Sequence, residues 1–146
     1  SGTYNFPMET IGFGLRANVP VTHRIFVVPR LKYAPGFNQI EEVEAGANLQ
    51  FTLWDHLQRN GSSKPVMYVS AGALYNRWLN YYPSINSKAG QNNILPEAGL
   101  GVRSGGNRLK VFAEGHWNIL WNESYGEAGL LFYPFNKRSK KILTCP

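Results

Sequence analysis

Apolar residues recur at every second position through seven segments of ten to fourteen residues, and a period of two predicts β-strands with one apolar face. Residues 9–19 set Ile11, Phe13, Leu15, Ala17 and Val19 against Thr10, Gly12, Gly14, Arg16 and Asn18. Residues 24–34 set Ile25, Val27, Pro29, Leu31 and Tyr33 against Phe26, Val28, Arg30 and Lys32. The cleanest alternation, residues 42–54, runs Val43, Ala45, Ala47, Leu49, Phe51, Leu53 against Glu44, Gly46, Asn48, Gln50, Thr52. Residues 66–78, 94–103, 108–121 and 125–135 repeat it, with Glu97, Arg103, Lys110, Glu114, His116 and Glu127 all on the non-apolar side. No segment has the period of a helix.

Turn-forming residues separate the segments: Pro20, Pro35-Gly36, Asn60-Gly61-Ser62-Ser63, Pro83-Ser84, Ser104-Gly105-Gly106-Asn107 and Asn122-Glu123-Ser124. Strands joined so closely are antiparallel neighbours, so the chain predicts an all-β, up-and-down meander. Residues 1–136 form the barrel and residues 137–146 a basic C-terminal tail. The longest connection, residues 79–93, carries Tyr81, Tyr82 and Pro83 and is the candidate partner loop. Closure into a small membrane barrel takes an even number of strands, about eight or more. Residues 3–6 are the expected source of the eighth; the alternatives are a returning tail at 141–145 or a strand upstream of residue 1.

Alternation fits two opposite proteins, a soluble barrel with its apolar face inward and a membrane barrel with that face toward lipid. The polar face favours the second. It carries Gly12, Gly14, Gly46, Gly72, Gly99, Gly101 and Gly129, and mid-strand glycine costs backbone entropy that a solvated surface gains nothing from. A narrow interior does gain, because bulky inward groups fit only between gaps. Its charges are also near balance, Arg16, Arg30, Lys32, Arg103 and Lys110 against Glu44, Glu97, Glu114 and Glu127, as a buried ion network with His116 requires. Aromatics gather near strand ends, Tyr33, Tyr75, Trp78, Trp121 and Tyr125 at one set and Trp54, Tyr133 and Phe135 at the other, in the manner of two interfacial girdles.

Composition changes this picture little. At 146 residues there is room for one domain, and no stretch is long and apolar enough for a transmembrane helix. Ser1-Gly2-Thr3-Tyr4 has neither the basic start nor the apolar run of an export signal, so an exported chain would already have lost one. The single cysteine, Cys145, allows no internal disulfide. The net charge of +6 owes much to Lys137, Arg138, Lys140 and Lys141 in the tail. Four glutamates interrupt the basic residues of the polar face, which argues against nucleic acid.

The run Leu-Pro-Glu-Ala-Gly-Leu-Gly-Val-Arg from Leu95, then Lys-Val-Phe-Ala-Glu-Gly from Lys110, then Tyr-Gly-Glu-Ala-Gly-Leu-Leu-Phe-Tyr-Pro-Phe from Tyr125, resembles the closing hairpins of small, porin-like, eight-stranded outer-membrane barrels of the Bacteroidota type. The resemblance implies an outer-membrane location in a Gram-negative bacterium, with outer-membrane lipid and other outer-membrane proteins as partners. Members of such families serve as surface proteins, pores or accessory subunits. With the C-terminal end toward the periplasm, residues 20–23, 55–64 and 104–107 are periplasmic turns, and residues 35–41, 79–93 and 122–124 are extracellular. The tail would lie against inner-leaflet headgroups.

Little in the sequence points to chemistry. His23, His56 and His116 share no ligand spacing, so neither metal nor other cofactor is expected. His116 with Glu114 and Glu127 has the residue types of a general base oriented by a carboxylate, as in lipid A deacylases. The chain departs from that pattern where a serine should follow, reading His116-Trp117-Asn118, with only Ser70 or Ser124 as nearby hydroxyls. The expectation is a non-enzymatic membrane barrel. Its rivals are a lipocalin-like binder with Phe13, Leu49, Phe51, Leu100 and Phe132 around a ligand cavity, and a lipid A-modifying enzyme centred on His116.

Overall fold

A computed structural model describes residues 1–7, 9–35, 41–54, 65–80, 90–106 and 108–132. Nine strands form one antiparallel sheet: β1 (Gly2–Asn5), β2 (Thr10–Arg16), β3 (Val19–Pro20), β4 (Ile25–Ala34), β5 (Glu42–Trp54), β6 (Val66–Trp78), β7 (Asn92–Gly105), β8 (Leu109–Asn118) and β9 (Glu123–Phe132). From β3 to β9 each strand pairs with the next in sequence, and β1 pairs with both β2 and β9, which closes the sheet. Strands β2 and β3 both pair with β4 and make one interrupted stave, so the fold is an eight-stranded antiparallel barrel.

The eighth stave is thus the N-terminal segment. Gly2 sits opposite Phe13 on one side and Ala128 on the other. The Ser1 amino group donates to the Gly14 carbonyl at 2.8 Å, and Phe6 N–H donates to the Ser124 carbonyl at 3.2 Å. Elsewhere side chains set the turns. Asn118 Oδ1 accepts from the amides of Leu120 and Trp121, and Asn122 takes the left-handed backbone, φ 54°, that asparagine tolerates well. One irregularity, between Thr52 and Trp54, shifts the β5–β6 register near the strand end.

The two faces are inverted relative to a soluble domain. Among the described residues fifteen polar or charged residues are buried against seven apolar ones. The apolar set points outward on every stave, with Leu15 77 %, Ile94 67 % and Phe132 69 % exposed. The inward glycines make room for the network. A Cβ on Gly101 would stand 2.6 Å from both the Tyr68 ring and Glu114 Cγ, so only glycine lets that tyrosine cross the lumen.

Three expectations are corrected here. Phe13, Leu49, Phe51, Leu100 and Phe132 lie on the outer surface and not around the lumen, because the parity that buries the charges turns them out. Tyr125 belongs to no outer girdle; it shares the inward parity of Glu127 and stacks on His116, centroids 4.8 Å apart. Trp78 shares the parity of Leu74 and Asn76, and it meets Trp121 edge-on at 5.9 Å, both rings half-buried. Tyr33 and Tyr75 are exposed at the same end of the barrel. Tyr133 and Phe135, the side chain of Trp54, the Tyr81-Tyr82-Pro83 loop tip and the basic tail lie outside the described residues.

Candidate functional site

Alternation delivers the inward residues of all eight staves to one axis, so residues far apart in sequence meet mid-barrel. Arg30 of β4 donates from Nη1 to Glu97 Oε1 of β7 at 2.6 Å and from Nη2 to Glu127 of β9. Arg16 of β2 donates to Glu114 Oε1 of β8 at 2.7 Å, with Glu127 Oε1 3.6 Å from its other terminal nitrogen. The same Glu114 oxygen accepts from Tyr68 at 2.5 Å and Gln50 at 2.8 Å, while Oε2 contacts His116 Nε2 at 2.7 Å. Glu97 also accepts from Asn48, at 2.5 Å, and from the Tyr125 hydroxyl. Three carboxylates are therefore held by two guanidiniums, an imidazole and neutral donors, an arrangement that offsets the cost of removing ions from water.

The two ends differ. Toward the β4–β5 end, Lys32 Nζ lies 3.0 Å from Glu44 Oε2 and 3.8 Å from the Tyr125 ring centroid. Asn76 Nδ2 bridges Glu42 and Glu44 at 2.7 and 3.2 Å. Toward the β7–β8 end, Arg103 donates to Thr52 Oγ1 at 3.3 Å and lies over the rings of Phe26 and Tyr68, at 4.5 and 5.4 Å. Lys110 faces Gly105 across β7–β8, half-buried.

All ten residues read as a polar interior therefore sit on the inward face, and nine of them join contacts given above. The ten do not include Glu42, Asn48, Gln50, Tyr68, Asn76 and Tyr125; Glu42, Asn48 and Gln50 share the parity of Glu44 and Tyr125 that of Glu127, whereas β6 has no charged inward residue to mark Tyr68 and Asn76.

The chemistry open to this cluster is narrow. Ligand atoms of Glu114, His116 and Glu127 come within 4.8 Å of one another, but Glu114 and Glu127 are already committed to Arg16 and Arg30, so a divalent ion would have to displace both guanidiniums. Ser70 Oγ and His116 Nδ1 face the same glycine, Gly99, with Glu114 beyond the imidazole. Both residues are at most 5 % exposed, and neither lines either of two cavities of about 40 and about 20 Å³ at the Glu42 end. Such volumes hold a few waters, not a substrate. Comparison with protein-family models, curated proteins and solved structures finds no match.

Proposed function

We propose that this barrel spans a lipid bilayer, the outer membrane of a Gram-negative bacterium, and acts there as a structural or interacting protein, either an accessory subunit of a larger outer-membrane complex or a surface protein. The observation that carries the reading is the inversion of faces. Leucine, isoleucine, valine and aromatic side chains cover the outside of every stave while arginine, lysine and glutamate fill the inside. In water the outer surface would be an apolar belt far beyond the roughly 300–600 Å² of the largest patch on ordinary soluble proteins. In hydrocarbon it is the favourable surface, and the sheet closes on itself through β1, which pairs with both β2 and β9.

The rest follows from the filled lumen. Side chains tied across the axis leave no continuous channel among the described residues, which argues against a pore, and the burial of His116 argues against catalysis. Function then rests on the lipid-facing belt and on the loops, with residues 35–41, 79–93 and 122–124 on the external side and the basic tail on the periplasmic side. The first test is sedimentation of the refolded chain. The proposal expects a single species in nonionic detergent and aggregation once detergent is removed without lipid; a monodisperse chain in plain buffer sinks it.

A further inference from the structure

Charge is distributed unevenly along the barrel axis. At the end where β4, β5 and β6 meet their turns to β5, β4 and β7, the described residues include Glu9, Glu41, Glu42, Glu44 and Glu123. At the opposite end lie Arg24, Arg103, Arg108 and Lys110, and the described residues there hold no carboxylate. Of these four, Arg24 and Arg108 are exposed and Lys110 is half-buried.

Arg103 is different. It is 7 % exposed, and its Nε and Nη1 make no hydrogen bond. Every other buried cation of the inward face has a carboxylate: Arg16 has Glu114, Arg30 has Glu97 and Glu127, and Lys32 has Glu44. Arg103 has a threonine hydroxyl and two ring faces. Aromatic faces offset part of a guanidinium's desolvation but satisfy none of its N–H donors in the plane. A buried ion without a counter-ion costs several kcal/mol, and the lumen supplies counter-ions to all the others. Gly105, inward on the same strand and opposite Lys110, lets the two backbones approach closely, since a Cβ there would stand 2.6 Å from the Leu109 carbonyl oxygen and 2.7 Å from Lys110 Cα, and so brings the two cations onto one stretch of the lumen wall.

We propose that the basic end of the barrel is an anion site built on Arg103, with Lys110 as second cation, and that its ligand is a phosphate group. The planar fork of a guanidinium matches two oxygens of a tetrahedral anion, and a flanking ammonium adds charge without demanding geometry. The phosphate has two chemical sources, a soluble phosphorylated compound or the headgroup of an anionic lipid. The site rests on the lumen geometry and stands whether or not the outer face meets lipid.

The test uses the full chain labelled with ¹⁵N-arginine, folded in a phosphate-free maltoside detergent, with the Arg103 Nε–H resonance as readout. One arm adds orthophosphate at fixed ionic strength with chloride as the reference; the other adds short-chain phosphatidic acid with the matching phosphatidylcholine as reference. A saturable shift of the Arg103 resonance is expected in at least one arm. Saturation by orthophosphate identifies a soluble phosphate, and saturation by phosphatidic acid alone identifies a headgroup. Arg103→Lys removes the resonance and so assigns it, Lys110→Gln should weaken the apparent affinity read from it, and the exposed Arg24→Gln should leave that affinity unchanged. The readout is on the unmodified protein, so a variant that fails to fold does not decide the matter. No saturable shift in either arm, or an equal shift with chloride, overturns the site and leaves the guanidinium held by Phe26, Tyr68 and Thr52 alone.

Discussion

Arg30 is the residue on which the mid-barrel network turns, because its two short ion pairs tie three staves, β4, β7 and β9. Replacing it with methionine keeps volume but leaves Glu97 and Glu127 without their guanidinium. Loss of one partner of a buried pair costs about 3–5 kcal/mol, so Arg30→Met should lower unfolding free energy by that amount in denaturant titrations. Glycines give a matched pair of tests. Gly101→Ala puts a methyl into Tyr68 and Glu114 and should cost about 1–3 kcal/mol, whereas Gly115→Ala meets nothing within 4 Å and should stay within about 0.5 kcal/mol of the parent. Equal effects at the two positions would show that the inward glycines are not packing sites. At this scale the charged residues were readable because charge on a glycine-rich face is conspicuous. Tyr125, Trp78 and Trp121 were misread because an aromatic near a strand end suggests an interface, and their chemistry does not say which way they point. The parity of Glu127 and Asn76 does.

Strands were the most legible elements. An uninterrupted period of two, as in Glu42–Trp54, leaves the chain one way to separate its faces, and the ladders keep that register almost throughout. Less legible was the first stave. Four residues, Gly2–Asn5, are too few to display a period, and their place is fixed by two partners far off in sequence, β2 and β9. Deleting residues 1–6 should therefore unpair one edge of β2 and of β9 at once, giving a chain that aggregates on refolding, read as loss of the monomer peak; a monomer with parental unfolding behaviour would contradict β1 as the closing strand. Depth along a strand supplies another test. Leu49 is outward and midway along β5, 58 % exposed, and Leu49→Arg should cost about 2–4 kcal/mol in lipid vesicles, against about 0–1 kcal/mol for Leu109→Arg at the start of β8. Two neutral results would mean that the outer face does not lie in hydrocarbon.

Considered as a whole molecule, the barrel joins an apolar exterior, an ion-paired interior and an axial separation of charge among the described residues, with glutamates toward one end and arginines toward the other. Sequence parity indicated the first two because they are properties of alternating residues. The third needed the strand order, since Arg24, Arg103, Arg108 and Lys110 lie in three separate parts of the chain that only the topology brings to one rim. The central claim is that the outward residues of each stave face lipid hydrocarbon. The measurement that tests it most directly is spin-label accessibility along β5 in phosphatidylcholine vesicles, with Cys145 replaced by serine and single labels at positions 43 to 53 in turn. The account predicts that labels at 45, 47, 49 and 51 relax strongly with oxygen and weakly with a water-soluble nickel complex, while inward labels at 48 and 50 respond to neither. Strong nickel response at 47 and 49 would contradict it.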